Sequence, residues 1–418
     1  MGVGPPFPAV CQQGSSLLSR ILNRMFAERE MTMTKIVIAP DSFKGSASAA
    51  EIAGFIAAGA RRARPDLDCR LLPVSDGGEG FCEAMAGALA CERRYQRVTG
   101  PDGRPRDACW LYLPDGRAVL ELAQAAGLTA MNGHLDAGGA TSYGVGELLR
   151  AALDAGCREI ILGLGGSACT DGGAGMLQAL GLSLRDAAGR ELPYGGLALA
   201  SLAELDCSGL DPRLADCRIL LACDVTNPLT GAQGSAAVFG PQKGADDALV
   251  QQLDAALAHF AALTACNIGC DLAASAGAGA AGGVAFGLLA YGHAELRRGI
   301  DLLLDTVSFE QMLQGVSLLI VGEGRIDRST AYGKAPIGLA QRARRCQPAL
   351  PVVALCGSVG PGAEMVLSSG IDAIFPFDTA NMPLEQAMRE VRPLAEAAAE
   401  RLIHCCFPTA ESNACGMA

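Results

Sequence analysis

The sequence has no run of about 18 consecutive apolar residues, the length a helix needs to cross a bilayer, so no membrane span is expected. It also lacks an excess of positive charge. Lys and Arg number 33 against 44 Asp and Glu, a formal net charge of −11. A surface of that sign repels phosphate backbones and argues against a nucleic-acid partner, although a local cleft can still offer cations to a small anion. No C-x-x-C occurs among the 17 cysteines, and the four histidines (His134, His259, His293, His404) are scattered. The clustered ligands of a structural zinc site are therefore missing. Cys82, Cys109, Cys223 and Cys356 lie in apolar runs, where a free thiol acts as a small hydrophobe. Reduced cysteines of this kind fit a cytoplasmic protein. There is no internal repeat and no long low-complexity tract.

What is present is globular. Half of the 418 residues are hydrophobic and 18% are charged, enough for two or three domains with a sizeable core. Residues 1–32 carry Arg20 and Arg24 and only a short apolar patch, in the wrong order for a signal peptide, and read as a disordered leader. Residues 409–418 read as a tail.

Lys35–Ala39 is a β-branched run with little alternation, as in a strand buried on both faces of a parallel sheet. Ser48-Ala-Ala-Glu51 is a capping box, and Ile52, Phe55, Ile56 and Ala63 keep helical spacing up to Pro65. Leu67–Val74 predicts a second strand and Phe81–Leu89 a second helix. The C-terminal third repeats this βα grammar. Strands are expected at Ser317–Val321, Val352–Leu355 and Ala373–Phe375, and helices at Pro336–Arg345, Gly362–Ser369 and Leu384–Ile403. Together the two ends predict a Rossmann-like (flavodoxin-like) domain of about five parallel strands, formed by residues 33–97 and 300–408.

Between them, residues 98–299 change texture and predict a second α/β domain inserted into the first. Pro114-Asp115-Gly116 is a hairpin signal between strands at Asp107–Leu113 and Arg117–Leu122. Helices are expected at Thr141–Ala155 and Asp246–Thr264, and strands at Glu159–Leu164 and Arg218–Cys223. An insertion of this kind predicts a ligand cleft between the domains.

The chemistry is concentrated in glycine-rich loops. There are 53 glycines, nearly twice the usual share of about 7%, and they gather at residues 75–80, 163–175, 276–283 and 322–327. Such loops bring backbone N–H groups close to a ligand, and at a helix start they favour an anion. Acids accompany these loops: Asp41, Asp76, Asp171, Asp224, Glu323 and Asp327 all follow predicted strands or lie in the loops. Carboxylates gathered near phosphates imply a cation, and Mg²⁺ takes one or two of them with substrate phosphates. Basic residues, Arg325 in the last of these stretches and Lys44, Lys243 and Lys334 in other loops, suit a transferring phosphoryl group or a substrate carboxylate. Tyr332-Gly-Lys334 is not a P-loop, because position 328 is Arg and position 335 is Ala. The first strand lacks the dinucleotide glycine fingerprint, which weakens an oxidoreductase reading.

Seven stretches in order resemble the bacterial glycerate kinases of the glyoxylate and galactarate pathways: residues 35–46, 73–80, 165–175, 222–228, 239–244, 277–283 and 322–327. The resemblance runs from about residue 33 to 405, with Ser75 where alanine is expected and Cys169 where a small polar residue is expected. It implies an ATP- and Mg²⁺-dependent kinase that converts D-glycerate to 2-phosphoglycerate. A 3-phosphoglycerate product or a non-catalytic anion-binding regulator are the alternatives. From the chemistry of these loops Lys44, Asp171 and Asp224 are expected to be catalytic. Ser42, Lys243, Arg325 and Asn227 are expected to bind substrate. Gly77, Gly78, Gly165, Gly166, Ser167, Gly279, Gly282 and Gly283 are expected to cradle the nucleotide phosphates. Asp76, Glu323 and Asp327 are expected to hold the metal. The expected partners are small-molecule substrates, glycerate and ATP, and a further copy of the chain.

Overall fold

The structure is a computed structural model that describes residues 35–75, 77–379 and 382–407. The leader, the tail and the metal candidate Asp76 lie outside the described residues. In chain order the strands are β1 (Lys35–Pro40), β2 (Asp68–Leu71), β3 (Glu92–Thr99), β4 (Pro105–Tyr112), β5 (Ala118–Glu121), β6 (Glu159–Gly163), β7 (Ser183–Arg185), β8 (Glu204–Asp206), β9 (Arg218–Ala222), β10 (Glu295–Arg297), β11 (Leu318–Ile326), β12 (Val352–Val359) and β13 (Ala373–Pro376).

The described residues form two compact units. The first takes the residues up to Ser75, Glu83–Ala88 and those from Leu303 onward; the second takes residues 77–82 and Leu89–Leu302.

The first unit is a five-stranded parallel sheet in the order β13-β12-β11-β1-β2. Counted along the unit's own chain this is the 2-1-3-4-5 order of flavodoxin-like folds, the fold class expected for the two chain ends. Ile36 and Ile38 of β1 face one way, into a core with Ile52, Ile56, Ile320, Val353 and Leu402. The helices Ala49–Ala63 and Val391–Cys406 cover that side. Val37, Leu319 and Val321 are as deeply buried and, by strand alternation, face the other way. Burial on both faces is why β1 is apolar at every position from Ile36 on rather than every second one. The capping box forms: Ser48 Oγ accepts from Glu51 N at 3.3 Å and Glu51 Oε2 accepts from Ser48 N at 2.8 Å.

Three expectations in this unit need correction. β11 does not end at Val321 but runs on to Ile326, because Gly322 and Gly357 let β11 and β12 approach; a Cβ on Gly322 would stand 2.3 Å from Leu355 O and one on Gly357 2.8 Å from Gly324 O. The 322–327 stretch is therefore a strand end, not a loop. Ala363–Ser369 is a 3₁₀ helix, and the single helix expected over Leu384–Ile403 is broken at Glu390 into Leu384–Arg389 and Val391–Cys406.

The second unit has a six-stranded mixed sheet, β10-β9-β6-β5-β4-β3. β5, β6, β9 and β10 are parallel, and β3 and β4 add antiparallel pairs. The predicted hairpin joins β4 to β5, with Gly116 at φ 84° closing the turn. β3 and β10 had no sequence expectation. β3 (ERRYQRVT) is mostly polar, since it forms one edge of the sheet. The long helix Asp247–Ile268 starts at Asp246, whose carboxylate accepts from Leu249 N at 2.8 Å, and stops at Gly269 at φ 77°. Its Leu253, Leu257 and Phe260 join Leu162, Leu177, Leu221 and Phe286 in the unit's core. Each such side chain contributes about 1.5–3 kcal/mol on burial. No described helix is long and apolar enough to cross a membrane, and the described cysteines are all free thiols.

Candidate active site

In the first unit the sheet order reverses between β1 and β11, the position at which open α/β sheets bind ligands beyond their strand ends. Asp41 N there donates to Gly322 O at 2.8 Å, and the Asp41 carboxylate accepts from Ser42 N at 2.6 Å. Phe43 and Ala47 then exchange hydrogen bonds at 2.9 and 3.0 Å, which leaves Lys44 and Gly45 at the tip of a tight turn. Gly45 takes φ 76°, a conformation glycine adopts without strain. The turn is anchored by the Phe43 ring, stacked on Phe377 at 5.4 Å, so Lys44 projects from a rigid base and is exposed.

Of the acids expected near β11, Glu323 is buried and engaged. It accepts from the Thr330 hydroxyl, and Lys334 Nζ lies 3.1 Å from it. Asp327 accepts from Ser329 N and Oγ at 2.8 and 2.6 Å, and those hydrogen bonds hold its carboxyl below the ordinary range. Arg325 Nε lies 3.5 Å from Asp327, with its guanidinium largely exposed. Among the described residues no three His, Cys, Asp or Glu side chains gather to hold a metal.

In the second unit the carboxyl ends of β5, β6 and β9 point to one edge, by parallel pairing. A cavity of about 330 Å³ opens there. Gly77 and Gly78, Leu164–Ser167, Ala222–Val225 and Ala280–Gly282 form most of its wall, with Leu128, Phe239 and Gln242. Three glycine-rich loops, far apart in sequence, thus meet at one site together with Asp224. The Asp224 carboxylate accepts from Gly299 N at 3.0 Å, which orients it at the wall.

The glycines are needed for the loops to touch one another. A Cβ on Gly165 would stand 2.2 Å from Gly78 Cα, and one on Gly282 would stand 2.0 Å from Cys169 O. Gly165 N also donates to Gly77 O at 2.9 Å, and Gly172 N to Gly282 O at 2.9 Å. Ala281 lies at φ 54° between these contacts, a left-handed conformation that costs an L residue about 1–2 kcal/mol. Strain of this kind persists where surrounding contacts over-determine the backbone.

Two buried charges organise the 163–175 loop. Lys243, 1% exposed, donates to Ser167 Oγ at 3.0 Å and to Cys169 O at 2.6 Å. Burial pushes its ammonium below the ordinary lysine range, opposed by nearby Cys169 and Asp171. Asp171 is wholly buried. Its Oδ2 accepts from Ser142 N, Ser142 Oγ and Gly175 N, and its Oδ1 from Gly173 N. Burial pushes this carboxyl up, against the opposing pull of those hydrogen bonds. Burial also carries the Cys169 thiol well above the ordinary range.

The model of the glycerate kinase family matches residues 36–406. This chain belongs to the glycerate kinase family. Among relatives of this family, it is 46% identical to glycerate kinase of Bacillus subtilis (strain 168) over 369 residues, 87% of this chain and 96% of that one. It is 45% identical to glycerate 2-kinase of Escherichia coli (strain K12) over 357 residues, 85% and 93% of the two chains. A crystal structure from Salmonella typhimurium LT2, provisionally assigned to glycerate kinase 2, shares 45% identity. It superposes with a TM-score of 0.79 over 89% of this chain and 98% of that one.

In this member of the glycerate kinase family, Gly77, Gly78, Gly165, Gly166, Ser167, Gly282 and Asp224 line one cavity. Gly279 and Gly283 are used in packing instead, with Cβ positions 2.2 Å from Pro228 O and 2.7 Å from Gly172 Cα. Asn227 is also engaged within its loop: Nδ2 donates to Gln233 O at 2.8 Å and its carbonyl accepts from Gly279 N at 2.9 Å. Sequence reasoning missed Gln242, Ser142 and Glu121. Glu121 had a signal, since it is the single charge in the apolar run Ala118–Ala126.

Proposed function

We propose that this chain is an ATP-dependent kinase that phosphorylates D-glycerate to 2-phosphoglycerate. The observation that carries the reading is the meeting of three glycine-rich loops and Asp224 at one cavity on a sheet's carboxyl edge. Family membership and the 45% identity to a glycerate 2-kinase support the substrate and the product. The backbone of Gly77, Gly78, Gly165, Gly166 and Gly282, with the Ser167 hydroxyl, suits the phosphates of ATP, because amide dipoles neutralise an anion without crowding it.

In this reading Asp224 accepts the proton of the attacking hydroxyl, because it is a wall carboxylate already oriented by a backbone amide. Asp171 and Lys243 keep the loop in shape rather than act on substrate, since each is buried and committed to loop partners. Lys44 stabilises the transferring phosphoryl group, and Ser42 and Arg325 hold the glycerate carboxylate. Mg²⁺ in kinases takes one or two carboxylates plus phosphate oxygens, so it does not require a cage of protein acids. Asp327 is the described carboxylate assigned to it. When bound, the ion would neutralise phosphate charge.

The test is phosphorus NMR of the products from D-glycerate, ATP and Mg²⁺. A 2-phosphoglycerate resonance with stoichiometric ADP is expected. A 3-phosphoglycerate resonance overturns the regiochemistry, and unconsumed ATP overturns the kinase reading in favour of a passive anion binder.

A further inference from the structure

Glu121 ends β5 and is 1% exposed. Its two carboxylate oxygens accept from two amides of one segment: Oε1 from Gly80 N and Oε2 from Cys82 N, each at 3.0 Å. A buried carboxylate is strongly disfavoured unless donors surround it, so these bonds tie the loop firmly to the strand. Gly80 takes φ 86° with nothing within 4 Å of a Cβ, so glycine is needed here for conformation, not for space. That conformation turns its amide towards Glu121.

The same loop is held from the neighbouring strand. Glu121 pairs in register with Gly163 of β6, and two residues further on Gly165 N donates to Gly77 O. The backbone of Gly78 lies against Gly165 so closely that a Cβ would not fit. Gly77 and Gly78 are thus fixed between Glu121 and Gly165, and both line the cavity, whereas Glu121 does not.

We infer that Glu121 is a positioning residue for the nucleotide: it sets the 77–82 loop so that the Gly77 and Gly78 backbone meets phosphate, without itself touching ATP. The inference rests on the proposal that this cavity takes ATP phosphates. A residue that merely caps the helix Phe81–Ala88 would alter the folded fraction but not the affinity of the folded enzyme.

The full-length chain and its Glu121→Gln variant are compared by calorimetric titration with Mg-ATP, by steady-state kinetics, and by hydrogen–deuterium exchange of residues 77–82. Glutamine keeps the volume but loses the charge and one acceptor. The expected result is faster exchange at 77–82 and at least about tenfold weaker ATP binding, the scale of one lost charge-assisted hydrogen bond. KM for glycerate should stay within about twofold, by the same scale. Faster exchange with unchanged ATP affinity overturns the inference and leaves a helix cap. A wild-type chain that binds no ATP overturns the reading of the cavity along with it. If Glu121→Gln does not fold, Glu121→Asp serves, since it keeps the charge but withdraws the carboxylate by one methylene. ATP affinity weakened about threefold or more supports the inference, and affinity equal to wild type overturns it.

Discussion

Lys243 Nζ lies 2.6 Å from Cys169 O and 3.0 Å from Ser167 Oγ, so a charge expected to meet substrate is instead buried inside the loop that shapes the cavity. Lys243→Met should therefore act through the loop. It leaves Cys169 O and Ser167 Oγ without their donor, a loss of about 1–3 kcal/mol in unfolding free energy. Urea denaturation checks this. KM for ATP should rise while KM for glycerate changes little. The opposite split would return Lys243 to the substrate.

The buried Asp171 carboxyl gives stability a pH dependence of definite sign. Its folded pKa lies above the ordinary value, so in the window between the two the folded chain holds a proton that the unfolded chain has lost. The contribution is full below the unfolded value and is lost as pH rises through the folded one. Urea midpoints of wild type and Asp171→Asn, measured from pH 3.5 upward, should show wild type losing ground to the variant as pH rises. A gap that widens in favour of wild type would mean that the four hydrogen bonds to Asp171 outweigh its burial.

Gly165→Ala would push a Cβ to 2.2 Å from Gly78 Cα, backbone against a wall of the cavity. Neither loop has a flexible side chain there to give way, so overpacking of about 1–3 kcal/mol is expected. Activity should fall along with thermal stability. Gly189→Ala is the control: its Cβ meets nothing within 4 Å, and only its positive φ is strained.

Lys44 stands at an exposed turn tip, so its removal should leave stability within about 0.5 kcal/mol of wild type. Lys44→Ala should nonetheless lose at least about 100-fold in kcat, the scale set by loss of one charge-stabilising donor. Steady-state kinetics beside a thermal melt separate the two effects. Unchanged kcat removes Lys44 from the mechanism.

The chain's local chemistry by itself determined the kinds of element and most of their order. β1 is legible because burial on both faces demands an unbroken β-branched run, and the first helix because Ser48 and Glu51 satisfy its first amides locally. The parallel sheet at the two chain ends follows from the same βα alternation, while its strand order was decided by the tertiary structure. The polar edge strand β3 was not legible, since an edge has no buried pattern to show. Tertiary structure alone decided which glycines form the cavity wall and which only pack, and it turned Lys243 and Asp171 inward and made Glu121 a clamp. Lys243 and Ser167 stand 76 positions apart, and Glu121 and Gly80 stand 41 apart. No periodicity spans such distances, and a buried charge is recognisable only once the donors or acceptors that surround it are in place.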